Sequence, residues 1–180
     1  MVYVLLGTGF EEVEAITPVD LLRRAGIAVA TVGINGKTVY GGHNIGVEAD
    51  ITLGQMDLTQ LDMIVLPGGL GGVQSIRASK EAMDAVRFAW DNGKFVAAIC
   101  AAPTVLADLG ITDGKNTTCY PGCETAMCNS IVHNDVPCRR DGNVITAASA
   151  GCAIPFGLML IEALKDNAAA EHIRQQIVIR

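Results

Sequence analysis

The chain has 180 residues, half of them apolar, with 20 glycines, six cysteines and three histidines. That length and apolar content predict one domain over residues 1–180 and exclude a disordered chain or a small stapled scaffold. A net charge of −6 with thirteen basic residues argues against a nucleic-acid partner, and no apolar run approaches the ~20 residues of a membrane span.

Met1 leads straight into the strand-like VYVLLG, Val2 to Gly7, without a basic leader, so a cytoplasmic location with the cysteines as thiols is expected. EEVEAITPVDLLRRAG then reads as a helix. Val13, Ile16, Leu21 and Leu22 form its expected inward stripe, Pro18 disturbs its middle, and Gly26 stops it. IAVATVGI, Ile27 to Ile34, completes a βαβ unit with parallel strands buried on both faces. The stretch from Asn35 to Leu53 carries an Asn-Gly turn signal and short alternating pieces, which predict a small hairpin at the sheet edge.

Met63 to Leu66 reads as a strand ending in a tight turn at Pro67-Gly68-Gly69, and Lys80 to Trp90 as a helix. The turn signal Asp91-Asn92-Gly93 introduces a short apolar strand, Phe95 to Ile99, and helical spacing follows from Ala101 to Leu109, with Pro103 tolerated in the first turn. A cysteine-rich loop from Thr117 to Asn129 precedes strands near Ile131 and in NVITAA. A final helical run from Ile154 to Leu164 and on to Ile177 covers one sheet face. Alternating strands and helices predict a three-layer α/β fold, in which ligands bind where loops converge at the C-terminal strand ends.

Three groups fall at those ends: the TGFEEVE loop, the PGG turn and Cys100. Cys100 sits on the hinge between strand and helix, where free N–H groups and the helix dipole are expected to lower its pKa. The competing reading is simple packing of a buried thiol. Glu11 and Glu12 read as capping charge at a helix start, whereas Glu14 lies where the helix turns apolar and should have a raised pKa, able to hydrogen-bond a thiolate or move a proton. The N–H groups of Gly69 and Ala101 are candidate oxyanion donors, and Gly68 belongs to the same turn. LPGGLGG matches neither a phosphate loop nor a dinucleotide fingerprint, so no cofactor is expected. His133 follows a strand-like segment and is a candidate pocket residue; His43, in the hairpin, and His172, in the terminal helix, read as residues outside the pocket. Cys119, Cys123, Cys128 and Cys138 lack paired zinc-knuckle spacing, so no metal is expected there.

Taken together, EEVEAITPVDLLRRAG, DMIVLPGG, AAICAAPTVLADLG, TCYPG and NVITA…FGLMLIEAL resemble the DJ-1/PfpI superfamily, in its DJ-1/ThiJ/YajL-like branch, over nearly the whole chain. The resemblance implies a flavodoxin-like sandwich with a mostly parallel central sheet and a nucleophile-elbow cysteine. It implies Cys100 as the oxidation-sensitive nucleophile, Glu14 as the acid that hydrogen-bonds it, and Gly69 and Ala101 as facing backbone donors. It also implies a homodimer with the first helix, carrying Arg23 and Arg24, near the interface. Tyr120 stands where several members have a pocket histidine and Ala101 where the protease-like branch has one, which argues against Cys-His proteolysis. Ala148, Ser149 and Ala150 replace an Arg-Gly-Pro, leaving a less cationic rim. Two functions are compatible with this pattern: a glyoxalase- or deglycase-like enzyme acting on α-oxoaldehydes such as methylglyoxal or their adducts, and a redox-responsive protein or chaperone whose Cys100 becomes a sulfinic acid.

Overall fold

The computed structural model describes residues 1–179. In chain order the elements are β1 (Val2–Leu6), α1 (Glu12–Arg24), β2 (Val29–Gly33), β3 (Thr38–Tyr40), β4 (Gly46–Glu48), β5 (Ile51–Thr52), β6 (Met63–Leu66), α2 (Leu70–Ala78), α3 (Lys80–Asp91) and β7 (Phe95–Ile99). There follow α4 (Pro103–Asp108), β8 (Asn116–Thr117), β9 (Ile131–Val132), β10 (Cys138–Asp141), β11 (Val144–Ala147), α5 (Ala153–Leu164) and α6 (Asn167–Gln176).

Seven strands form the central sheet in the order β10-β11-β7-β6-β1-β2-β5. All neighbours are parallel except β10 and β11, which pair antiparallel at one edge. Alternation along β1 assigns the two faces: Val2, Val4 and Leu6 pack with α1, α5 and α6, whereas Tyr3 and Leu5 pack with α2, α3 and α4. The result is the expected three-layer α/β sandwich of flavodoxin-like order, with a buried strand-to-helix cysteine. Among the described residues no helix is long and apolar enough to cross a membrane.

Several local expectations change. In α1 the buried stripe is Glu14, Ala15, Pro18, Val19, Leu21 and Leu22, while Val13 and Ile16 are exposed. At 100° per residue Val13, Ile16, Asp20 and Arg23 share the opposite face, so apolar identity at Val13 and Ile16 misled the reading. Pro18 does not break the helix; it packs where α5 offers only Gly157, at which a Cβ would stand 3.3 Å from the Pro18 Cα and 2.6 Å from Leu21.

The hairpin β3-β4 forms its own two-stranded sheet, and only β5 joins the main edge. The PGG turn runs directly into α2, a helix that glycines 71 and 72 disguised in the sequence. Those glycines are required by packing, since a Cβ at Gly72 would lie 2.7 Å from the Phe10 Cα. Strand β10 was not expected, because its Cys-Arg-Arg-Asp sequence lacks an apolar pattern. The terminal helical run is two helices, and Asp166 caps the second by accepting from the Ala169 N–H at 2.7 Å.

Candidate active site at the cysteine elbow

Cys100 follows the last residue of β7 and adopts φ +66°, a left-handed backbone that costs a non-glycine residue about 1–3 kcal/mol. Two hydrogen bonds hold it there: its N–H donates to the Ala147 carbonyl at 2.9 Å, and its carbonyl accepts from the Tyr120 N–H at 2.8 Å. Neither clamp was readable from the sequence, because each joins residues at least twenty positions apart that meet only in the folded chain. Helix α4 begins at Pro103 rather than Ala101, so a turn through Ala101 and Ala102 separates the sulfur from the helix.

Glu14 comes from α1 and is 1 % exposed. Its Oε2 accepts the Gly68 N–H at 2.8 Å, while Oε1 makes no hydrogen bond of good geometry. Gly68 is the wedge between acid and thiol: a Cβ there would lie 2.5 Å from Glu14 Oε2 and 2.7 Å from the Cys100 Cβ. Gly69 has φ +82° and caps α2; a Cβ on it would stand 2.6 Å from the Glu11 nitrogen. The Glu11 N–H donates to the Gly68 carbonyl at 3.0 Å, locking the β1-α1 loop onto the β6-α2 turn. Thus residues from three strand ends converge on one sulfur, as the crevice rule for parallel sheets anticipates.

Burial pushes the Glu14 carboxyl up to about 7, opposed by the adjacent Cys100 thiol and the Gly68 hydrogen bond and helped by the Glu11 charge. Burial also pushes the Cys100 thiol up to about 12, reinforced by the neighbouring Glu14 carboxylate, while the Ala101 and Gly69 N–H groups pull it down. The expectation of a thiol lowered by its hinge position alone is therefore corrected. The following helix is only six residues long and starts three residues later, too remote to dominate. Two neighbouring groups that interact this way titrate as a pair rather than singly. A protonated Glu14 beside a thiolate contains as many protons as a carboxylate beside a thiol. The acid beside the sulfur, rather than a helix dipole, is the neighbouring group with which Cys100 can exchange a proton.

The remaining candidates separate. The Tyr120 backbone touches Cys100, and its side chain is 48 % exposed. The His133 ring is tied to the Asn116 side chain at 2.8 Å, and the His133 backbone N–H donates to the Thr117 carbonyl, anchoring β9 to β8. It makes no hydrogen bond to Cys100 or Glu14. Glu12 does more than supply capping charge: it is 6 % exposed, accepts the His43 N–H at 2.8 Å and engages His43 Nδ1 at 2.9 Å. A Cβ at Gly41 would collide with the Glu12 side chain, so the hairpin tip wraps this carboxylate closely. Its burial favours the neutral acid, but the His43 and backbone hydrogen bonds outweigh it and lower the pKa; the same bond raises that of His43. Glu11, Glu12 and His43 are the one set among the described residues with donor atoms close enough to share an ion, and they already pair with one another. All six cysteines are free; Cys119 and Cys138 are buried, and Cys128 is exposed.

A flavodoxin-type sheet carrying a left-handed cysteine, an acid on the first helix and a double-glycine turn between them defines a class of elbow-cysteine α/β proteins. The DJ-1/PfpI family model matches residues 1–163, and the chain belongs to that family. Protein dj-1beta of Drosophila melanogaster is 36 % identical over 178 residues, covering 98 % of this chain and 95 % of the relative. Its crystal structure superposes with a TM-score of 0.94, covering 99 % of this chain and 97 % of that one. Deglycase PH1704 of Pyrococcus horikoshii is 32 % identical over 144 residues, 79 % of this chain and 86 % of the relative. The structure of oxidised Toxoplasma gondii DJ-1 has a TM-score of 0.90 at 28 % identity and covers 98 % of this chain and 97 % of that one. These similarities support a DJ-1-type biochemical role and enzymatic potential.

Proposed function

We propose that this chain is a cysteine-dependent, glyoxalase- or deglycase-like enzyme acting on α-oxoaldehydes such as methylglyoxal or their adducts. The observation that carries the reading is the buried Glu14-Cys100 pair, with the free Glu14 Oε1 and a carboxyl pKa of about 7. The Cys100 sulfur adds to the aldehyde carbon, and its oxygen takes a proton to give a hemithioacetal. The Gly69 and Ala101 N–H groups stabilise the developing oxyanion. Glu14 removes the hydrogen from the former aldehyde carbon and returns a proton to the neighbouring carbon, converting the hemithioacetal to a thioester. Water then cleaves the carbon–sulfur bond, releasing lactate and the thiol. A carboxyl poised near neutrality suits both proton transfers, and the similarity to deglycase PH1704 supports the substrate class. Lactate formation from methylglyoxal by wild type, Cys100→Ser and Glu14→Gln tests it: turnover that survives Cys100→Ser removes the proposal.

A second reading is favoured by the relative described as oxidised. Here Cys100 is a redox sensor whose sulfinate would be held by Glu14 and the same two N–H groups. A gain of two oxygens on Cys100 under mild peroxide, with negligible dicarbonyl turnover, would select it. Under either reading we propose a homodimer built near α1, where exposed Val13 and Ile16 flank a groove lined by Val19, Arg23, Val47 and Asp50. Arg23 bonds Asp50 and Arg24 bonds Asp20, both at 2.7 Å, which orders the charged border of that face. Sedimentation should give twice the chain mass; Ile16→Asp should give the monomer.

A further inference from the structure

Away from the elbow, the β10-β11 hairpin and the turn after it bring Cys138 and Cys152, fourteen residues apart, towards each other. Cys138 begins β10, opposite Ala147 of β11. Cys152 precedes α5 and is folded back by a turn in which its N–H donates to the Ser149 carbonyl at 2.8 Å. Cys138 Sγ stands 3.9 Å from the Cys152 carbonyl oxygen, and Cys152 Sγ stands 3.6 Å from Ser149 Oγ. Both thiols are free. Cys138 is buried beside a cavity of about 190 Å³ lined by Pro155, Leu158 and Met159, whereas Cys152 is half-buried and is the thiol of the two that a small oxidant reaches from solvent.

We propose that Cys138 and Cys152 form a second redox site, closing to an intramolecular disulfide when the protein meets a hydroperoxide. The Cys152 sulfur takes one oxygen as the peroxide O–O bond breaks, giving a sulfenic acid and releasing water from hydrogen peroxide. The Cys138 sulfur then attacks that sulfenic sulfur; the S–S bond forms, the S–O bond breaks, and the leaving hydroxide departs as water with the Cys138 proton. Two thiols thus supply two electrons, and one peroxide yields two waters. Burial pushes the Cys138 thiol up to about 12, helped by Cys152, which makes Cys138 the slow resolving partner rather than the first to be oxidised. The bond would tie edge strand β10 to the start of α5 across the turn that follows Ala147, whose carbonyl holds the Cys100 N–H. The device depends on neither Cys100 nor the dicarbonyl reaction.

The test uses full-length Cys100→Ser protein exposed to hydrogen peroxide, blocked with iodoacetamide and digested without reductant for tandem mass spectrometry. The expected product is 2 Da lighter, contains a Cys138–Cys152 linked peptide, and reverts with dithiothreitol. The link should vanish in Cys138→Ala and Cys152→Ser, where the remaining partner advances to sulfinic acid or stays a thiol. Cys152→Ser, at the half-buried position, preserves the test if Cys138→Ala does not fold. Sulfinic acid at Cys152 without a linked peptide in the Cys100→Ser protein, linkage of Cys138 to another cysteine, or no reaction at either thiol would overturn the proposal. Because the background lacks Cys100, loss of dicarbonyl turnover cannot imitate any of these results.

Discussion

The elbow around Cys100 and the thiol-rich stretch from Thr117 to Cys152 contain the same functional group in opposite settings. At the elbow one sulfur has a left-handed backbone, two backbone clamps and a protonatable acid brought by another element. In the second region burial leads the rise of Cys119 and Cys138 to about 12, Cys123 and the Glu124 charge adding to the first and Cys152 to the second, and Glu124 itself is held below the usual carboxylate range by its hydrogen bonds, so it holds no proton near neutrality. Cys100 reaches about 12 as well, so the difference is not in the sulfur's own level. It is in the presence of Glu14, able to hold a proton near neutrality. Reactivity here is a property of a pair, and counting cysteines does not find it.

The largest expected effect breaks the elbow at its sulfur. Cys100→Ser should lower methylglyoxal turnover at least ~100-fold, since the weaker nucleophile lacks an accessible anion, whereas Cys119→Ser should leave most of it. Initial rates of lactate formation on both variants measure the contrast. Glu14→Gln should follow, reducing turnover ~10- to 100-fold while retaining the fold, because the amide fills the space but exchanges no proton. Glu14→Asp sharpens the point by keeping the acid and shortening its reach.

Geometry gives the next prediction. Gly68→Ala places a Cβ between Glu14 and Cys100, and should cost about 1–3 kcal/mol in urea unfolding along with most of the activity. A similar substitution at Gly122, which also has positive φ but meets nothing within 4 Å, should cost about 1 kcal/mol from backbone strain and spare activity.

Glu14 also predicts a pH dependence of stability. The folded protein holds its proton up to about 7, compared with 4.5 for a free side chain. Its contribution therefore favours the folded state fully below about pH 4.5 and is lost as pH rises through about 7. Urea midpoints of wild type should decline across that window relative to Glu14→Gln; parallel curves would dismiss the perturbed acid. The smallest effect concerns strain. Cys100→Gly should raise stability by up to about 1 kcal/mol while abolishing the chemistry, because glycine accepts φ +66° without a penalty that is offset only partly by its freer unfolded chain. Limiting iodoacetamide at neutral pH supplies the direct comparison of the regions: Cys100 should label before Cys119 and Cys138.

Local pattern determined most of the framework. Strands β6 and β7 are short apolar runs bounded by turn residues, and their limits agree with the sequence reading residue for residue. Glu14 and Cys100 were legible as an acid where a helix turns apolar and a thiol where a strand stops, with the family pattern joining them. Helix α2 was hidden because Gly71 and Gly72 lower helix propensity, and only the approach of Phe10 explains them. Val13 and Ile16 were placed inside because apolar character does not say which side of a helix will find a partner.

The sequence by itself determined which residues can bear the chemistry and the strand-helix rhythm that brings loops to one sheet end, since periodicity and turn chemistry are local. Only the tertiary structure decided that Gly68 separates acid from thiol, that Ala147 and Tyr120 clamp the elbow, and that Glu12 is spent on His43. The protonation of Cys100 was likewise decided there, because burial and the distance to Glu14 are created by elements that meet only when the sheet is assembled.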